Sequence, residues 1–320
     1  MTQPAIDPRA PERHSRAMRS WLFISAFGLS SCATLSTTLP ESAPARVEAE
    51  KINQTREALK IYMADFRRLQ DIALPVLAAN TQFCDKIGVD IGAYTLSEKD
   101  LPKALRGKNG APELKSPTIL YVRPGTPSLF EGNVIIKNGK PVKVSALKPG
   151  IETIDTRARG VTSPVPVTAT PICGYPVRLK YTPAINAYAN GRSIIVTTGM
   201  MAFASDEELA LIIGHELAHN THGHIRKIVQ NTILGFGKGT FARQFESEAD
   251  YVGLYYSARA GYPIENAKEF WRKLARISVK SIDKPSTHPI AAQRYVGIDE
   301  AVAEIKAKQK AGLPLAPNPK

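Results

Sequence analysis

The sequence predicts an α+β fold: a mainly helical core carrying a small β-sheet, interrupted by a β-rich insert. Three observations predict it. Apolar residues recur at three- and four-residue steps over residues 47–80 and again through Leu209, Ile212, Ile213 and Leu217. Residues 85–165 change to a Gly-, Pro- and Val-rich composition with short strand-like runs. Helical patterns then return and hold to about residue 311. At 320 residues and 43% hydrophobic content, the chain can bury a core of that size.

Residues 1–31 combine Arg9, Arg13, Arg16 and Arg19 with a short apolar run from Trp21 to Leu29. That is the layout of an export signal, and the run is too short to span a bilayer comfortably. Leu29-Ser30-Ser31-Cys32 resembles a bacterial lipobox, which implies lipidation of Cys32 as the mature N-terminus. Ala33 and Thr34, with no Asp after the cysteine, then imply the outer membrane, the protein facing the periplasm. Residues 32–46 read as a tether rich in Ser, Thr, Pro and Ala. Residues 47–84 read as an amphipathic helix of the catalytic body, with Leu59, Tyr62, Met63, Phe66 and Leu69 on one face.

In the insert, strands are expected over Thr118–Val122, Asn133–Ile136 and Pro141–Val144, with turns at Pro124-Gly125 and Asn138-Gly139. Tyr121-Val122-Arg123-Pro124-Gly125 and the later Ile135 to Val142 segment resemble the core of a PDZ-like module, a fold that binds peptides by adding a strand to a sheet edge. With Cys32 lipidated, Cys84 and Cys173 remain; an exported compartment permits their pairing, and the alternative is two buried thiols.

The core is expected over residues 166–311, followed by a proline-rich disordered tail at 312–320. A hairpin, Asn186–Asn190 into Ser193–Gly199, leads into a helix announced by Ser205-Asp206-Glu207-Glu208, which has capping-box form. Gly223 stands where that helix stops. The helix carries His215-Glu216-Leu217-Ala218-His219. Positions i and i+4 share a helix face, so His215 and His219 can offer two imidazole nitrogens to one Zn²⁺. Glu216 then lies beside the metal as general base toward its water. Position 222 is His and 225 is Ile, which excludes the extended motif with a third histidine. The third ligand is therefore sought in Phe245-Glu246-Ser247-Glu248-Ala249-Asp250. Glu246 is the first choice and Glu248 the second, with Asp250 placed to fix the tautomer of a ligating histidine. Further helices are expected at about 242–260, 264–279 and 290–311.

His-Glu-Leu-Ala-His, the Glu246–Gly253 segment, Asn186-Ala187-Tyr188-Ala189, and Ser286-Thr287-His288-Pro289 with Arg294 together resemble the HtpX, Oma and CAAX prenyl protease family of gluzincin metallopeptidases. The resemblance implies one Zn²⁺ per chain at His215, His219 and Glu246, and Glu216 as base. It also implies that the Ser193–Thr197 strand presents its backbone to an extended substrate. His288 is implied near the metal, either as a donor to the reaction oxyanion or as a fourth ligand that holds the enzyme latent. His222 and His224, near the helix end, read as structural.

The function expected is that of an envelope zinc endopeptidase, acting on unfolded or mis-assembled envelope proteins and anchored to the membrane through Cys32. A chaperone-like or scaffolding lipoprotein with a latent site is the alternative; a zinc aminopeptidase is weaker, because no acidic cluster is placed to capture an amino group. The formal net charge is +13, and removing residues 1–31, with four arginines and two acids, leaves about +11. The basic residues form no dense run interleaved with aromatics, so nucleic acid is not expected as a partner, and an anionic membrane surface suits the charge better.

Overall fold

The protein is described from a computed structural model covering residues 37, 40–234, 242–277 and 292–319. The export signal, Cys32 and His288 lie outside the described residues. Residues Pro44–Lys320 form one compact unit.

Helix α1 (Pro44–Ala79) runs 36 residues. Its C-terminal half buries Leu69, Ile72, Ala73, Val76 and Leu77 in the core that also holds Leu209, Ile213 and Leu217. Around its middle, Tyr62 packs against Leu101 and Leu114, and Phe66 against Leu96 and Tyr121, all residues of the insert. One helix is therefore shared by both cores. Arg68 clamps its middle to the core, donating to the carbonyls of Met201 and Ala204 and pairing with Asp206 at 2.7 Å.

The insert holds β1 (Ile87–Asp90), β2 (Ala93–Leu96), β3 (Thr118–Val122), β4 (Val134–Lys137), β5 (Lys140–Val142), β6 (Gly150–Ala158) and β7 (Val161–Cys173). Strands β2 and β3 pair alone; the others form a sheet in the order β1-β7-β6-β4-β5. Asn138 and Gly139 both take positive φ between β4 and β5, as a two-residue type I′ turn requires. Residues 85–165 contain 3-10 turns and no α-helix, so a PDZ-like groove between a strand and a helix finds no helix of the insert to line it.

The expected boundary at 165/166 also needs correction. Strand β7 crosses that boundary without a break and runs through Pro164, Pro166 and Pro171. Over 161–169 it pairs with β6 alone, leaving one edge unladdered, and β1 joins only at 170–173. A strand edge is where proline is tolerated. Buried Val165, Val167 and Ala169 alternate with exposed Pro164, Pro166 and Thr168, and the strand ends inside the helical core at Cys173. There Cys173 is joined to Cys84 by a disulfide.

The core sheet contains β8 (Val177–Lys180), β9 (Ala187–Ala189) and β10 (Ile194–Thr197) in the order β8-β10-β9. Strand β10 is parallel to β8, antiparallel to β9 and buried throughout. A short α2 (Thr198–Phe203) leads to α3 (Asp206–Thr221). The capping box is formed: Ser205 Oγ accepts from the Glu208 N–H, and the Glu208 carboxylate accepts from the Ser205 N–H at 2.9 Å. After α3, Gly223 takes φ +63°, and the chain re-enters helix as α4 (His224–Ile233). Then follow α5 (Ala242–Arg259), α6 (Ala267–Ile277) and α7 (Ala292–Lys310). No described helix is long and apolar enough to cross a membrane.

Helices α3 and α5 cross at two glycines. A Cβ on Gly253 would lie 2.7 Å from the Cα of His215, and one on Gly214 would lie 2.5 Å from the Gly253 carbonyl oxygen. The expected disordered tail is instead docked. Leu315 packs beside α5 and α7, its carbonyl accepts from Arg259, and Asn318 donates to Glu304. Pro314, Pro317 and Pro319 restrict the free chain, so ordering it costs little entropy.

The disulfide closes a loop whose ends are 89 residues apart and which contains the whole insert. Cys173→Ala is expected to lower stability by about 3 kcal/mol, and thermal unfolding with and without reductant measures it. An unfolding midpoint unmoved by both changes would count against the crosslink.

Candidate metal centre

One helical turn separates His215 from His219, and their Nε2 atoms stand 3.1 Å apart. From the crossing helix α5, Glu246 places Oε2 3.4 Å from His215 Nε2 and Oε1 3.4 Å from His219 Nε2. In a tetrahedral site with bonds of about 2.0–2.2 Å, neighbouring ligand atoms lie about 3.3 Å apart. The three side chains therefore outline one face of such a site. Among the described residues they form the one cluster of metal-ligand type. All three are buried.

The electrostatics fit a cation. Asp250 Oδ1 lies 3.0 Å from His215 Nδ1. Burial alone would lower the His215 pKa, but the Asp250 and Glu246 carboxylates outweigh it and carry the pKa up to about 10. The pocket demands positive charge at the point where two imidazoles and a carboxylate converge, and a divalent ion supplies it. Arg294 donates to both Asp250 oxygens at 2.6 and 2.7 Å. Burial raises the Asp250 pKa, but this pairing holds it below the usual range. Asp250 is therefore a carboxylate able to fix His215 with Nδ1 protonated and Nε2 toward the metal. Trp271 lies against both, 5.0 Å from the His215 ring and 5.1 Å under the Arg294 guanidinium; nothing in the sequence singled it out.

His219 has its own support. His224, fully buried, lies with Nδ1 2.9 Å from His219 Nδ1 and Nε2 2.9 Å from Glu248. Burial and the adjacent His219 push the His224 pKa down, so it is neutral. Its Nε2–H then donates to Glu248, its Nδ1 accepts from His219, and His219 Nε2 is left toward the metal. Glu248, the second choice for third ligand, thus serves His224 instead. His224 is structural as expected, but in a specific way: it sets the tautomer of a ligand. His222 faces Thr221 Oγ1 at 3.1 Å and takes no part in the cluster of ligand atoms.

Glu216 turns toward the hairpin, where its Oε2 accepts from the Ala189 N–H at 2.7 Å. One turn on, Asn220 accepts from the Gly191 N–H and donates to the Ser193 carbonyl. These two side chains fasten the β9–β10 hairpin to α3. They also correct one expectation: the Ser193–Thr197 strand is central, with both edges paired. It is β9 that borders Glu216. His288 and Cys32 cannot be placed, being outside the described residues.

Two outcomes test this assembly. His224→Ala should weaken metal binding about 10- to 100-fold, read by competition with a chromophoric chelator, while Glu248→Gln, which keeps an acceptor for His224, should lose less. Equal affinity in His224→Ala and the wild type would remove its assigned role. Gly253→Ala should also lower metal affinity, because the added methyl must displace α5 and Glu246 with it. A variant that keeps full affinity would show that the helices tolerate separation.

Residues 167–239 match the profile of "Peptidase family M48". The chain is 33% identical over 137 residues to the mitochondrial metalloendopeptidase OMA1 of Arabidopsis thaliana, covering 35% of this chain and 28% of that protein. It is 26% identical over 157 residues to the Schizosaccharomyces pombe protein of that name, covering 40% and 47%. With the human metalloendopeptidase OMA1 it shares 22% over 179 residues, covering 43% and 34%. The matches thus span 28% to 47% of the length of these relatives. Over residues 167–239 the chain is similar to peptidase family M48, and the relatives it resembles are metalloendopeptidases.

Proposed function

We propose that this protein is a zinc endopeptidase of the bacterial cell envelope that cleaves unfolded or mis-assembled envelope proteins. The observation that carries the reading is the convergence of His215, His219 and Glu246, with Glu216 adjacent to His215 on the same helix. Zinc held by the three would supply a Lewis acid that polarises a peptide carbonyl and acidifies a water.

Glu216 does the proton work. Held by the Ala189 N–H, its carboxylate takes a proton from the attacking water and returns it to the leaving amine. The substrate chain is positioned by β9. Thr197 donates to the Asn186 carbonyl and Asn190 to the Ser193 carbonyl, so alternation turns the backbone groups of Ala187 and Ala189 away from β10; with the Ala189 N–H given to Glu216, the Ala187 groups and the Ala189 carbonyl are left for a substrate. An extended substrate can pair along that edge. His288 is assigned to the same centre by the family likeness alone, either toward the oxyanion or as a latency ligand.

The envelope location rests on Arg9 to Arg19, the Trp21–Leu29 run and the lipobox-like Leu29-Ser30-Ser31-Cys32. The disulfide suits an oxidising compartment. Lipidation at Cys32 would anchor the chain there.

Glu216→Gln should retain zinc and lose about 10²- to 10⁴-fold in cleavage of unfolded casein. Metal content and product release are measured on the same preparation. Undiminished cleavage by that variant would defeat the assignment and favour a binding protein with an idle site.

A further inference from the structure

The three-stranded core sheet has two edges. Strand β9 borders Glu216; β8, two strand spacings or about 10 Å away, borders a groove of about 690 Å³ between α1, the insert and the core. Ile194 donates to the Pro176 carbonyl, which fixes the alternation of the parallel ladder: Val177 and Leu179 turn their backbone groups away from β10, into the groove. The Val177 carbonyl accepts from Gln70. Among the described residues no hydrogen bond is made to the outward N–H and C=O of Leu179.

The groove is two-toned. Phe66, Tyr94 and Leu96 contribute apolar wall. Lys99, Lys103, Arg178 and Lys180 stand exposed around it, and none of the four forms an ion pair among the described residues. Its two acids are already balanced, Asp90 by Arg123 at 2.7 Å and Asp100 by Lys143 at 2.6 Å. A cleft with unpaired strand-edge groups, apolar side walls and uncompensated cations fits one kind of occupant.

We propose that this groove binds an extended acidic polypeptide segment as a strand added to β8. The Leu179 N–H and C=O take up its backbone. Alternate apolar side chains rest on Phe66, Tyr94 and Leu96, while carboxylates between them meet Lys99, Lys103, Arg178 and Lys180. An anionic membrane could answer the charge but not the shape, because a bilayer surface cannot enter a cleft between a helix and a sheet. Both β edges belong to one sheet, so a chain held at β8 raises the local concentration of its neighbouring segments at β9. Binding itself needs no metal and no cleavage, so its test stands apart from that of the peptidase reading.

The test uses the full chain carrying Glu216→Gln, to keep the peptide intact. The probe is a fluorescent peptide of alternating Glu and Val, about eight residues long. Fluorescence anisotropy should show saturable binding that weakens with salt. The Lys99→Glu, Lys180→Glu double variant should weaken it about tenfold or more, with the unfolding midpoint reporting that the fold is kept. The same peptide N-methylated at alternate residues should bind at least about tenfold more weakly, since it cannot complete a ladder. Equal binding by the charge-reversed variant or by the N-methylated peptide would overturn the proposal. So would binding of phosphatidylglycerol vesicles that Lys99→Glu, Lys180→Glu abolishes while the peptide fails to bind.

Discussion

The centre depends on how closely α3 and α5 can approach. At Gly214 and Gly253 backbone meets backbone, with no room for a methyl group on either side. Within about a turn and a half of Gly214 lie His215 and His219, and about two turns before Gly253 lies Glu246. Imidazole and carboxylate side chains of ordinary length can share an ion only if the helix axes are this near. The glycines cost helix propensity of about 1 kcal/mol each, a cost that falls at the point where the site needs contact rather than side chain.

Closeness alone would bury repelling groups, and the neighbouring residues resolve this in two chains of hydrogen bonds. One runs from His215 through Asp250 to Arg294; the other runs from His219 through His224 to Glu248. Arg294 holds Asp250 ionised, and burial beside His219 holds His224 neutral although Glu248 favours the cation. A buried charge without such a partner is strongly destabilising, so the surrounding shell is a condition for the donors being there at all. Helix α5 supplies a member to each chain and, between them, the Glu246 carboxylate of the candidate cluster. Glu246 and Asp250 share one face, and Glu248 reaches the other side because Gly223, in the left-handed region, swings His224 back beneath α3.

This explains which parts were legible in the sequence. The histidine pair, the capping box at Ser205 and the carboxylate at Glu246 follow from periodicity within a single helix, which is local information. The partner of His219 was not legible, because the link between His224 and Glu248 depends on a turn and a helix crossing that no spacing rule contains. Prolines misled in the tail, where they read as disorder, though a stiff chain loses little entropy on docking; the boundary at 165/166 was misplaced because β7 continues through its prolines along an unpaired edge. The central place of β10 was hidden because β8, its parallel partner, is a four-residue segment with no periodic signature of its own.

The insert is bound into the catalytic unit rather than appended to it. Strand β7 begins in the insert sheet and ends in the core at Cys173, the disulfide ties that end to the segment following α1, and α1 divides its buried face between the two cores. A force on the insert is therefore transmitted to β8 through the few residues between Cys173 and Val177. From β8 it passes through β10 to β9, whose Ala189 N–H holds the Glu216 carboxylate. The Glu216 carboxylate and the outer edge of β8 are thus three hydrogen-bonded strands apart in one small sheet. Whatever settles the position of that sheet settles the direction in which Glu216 points.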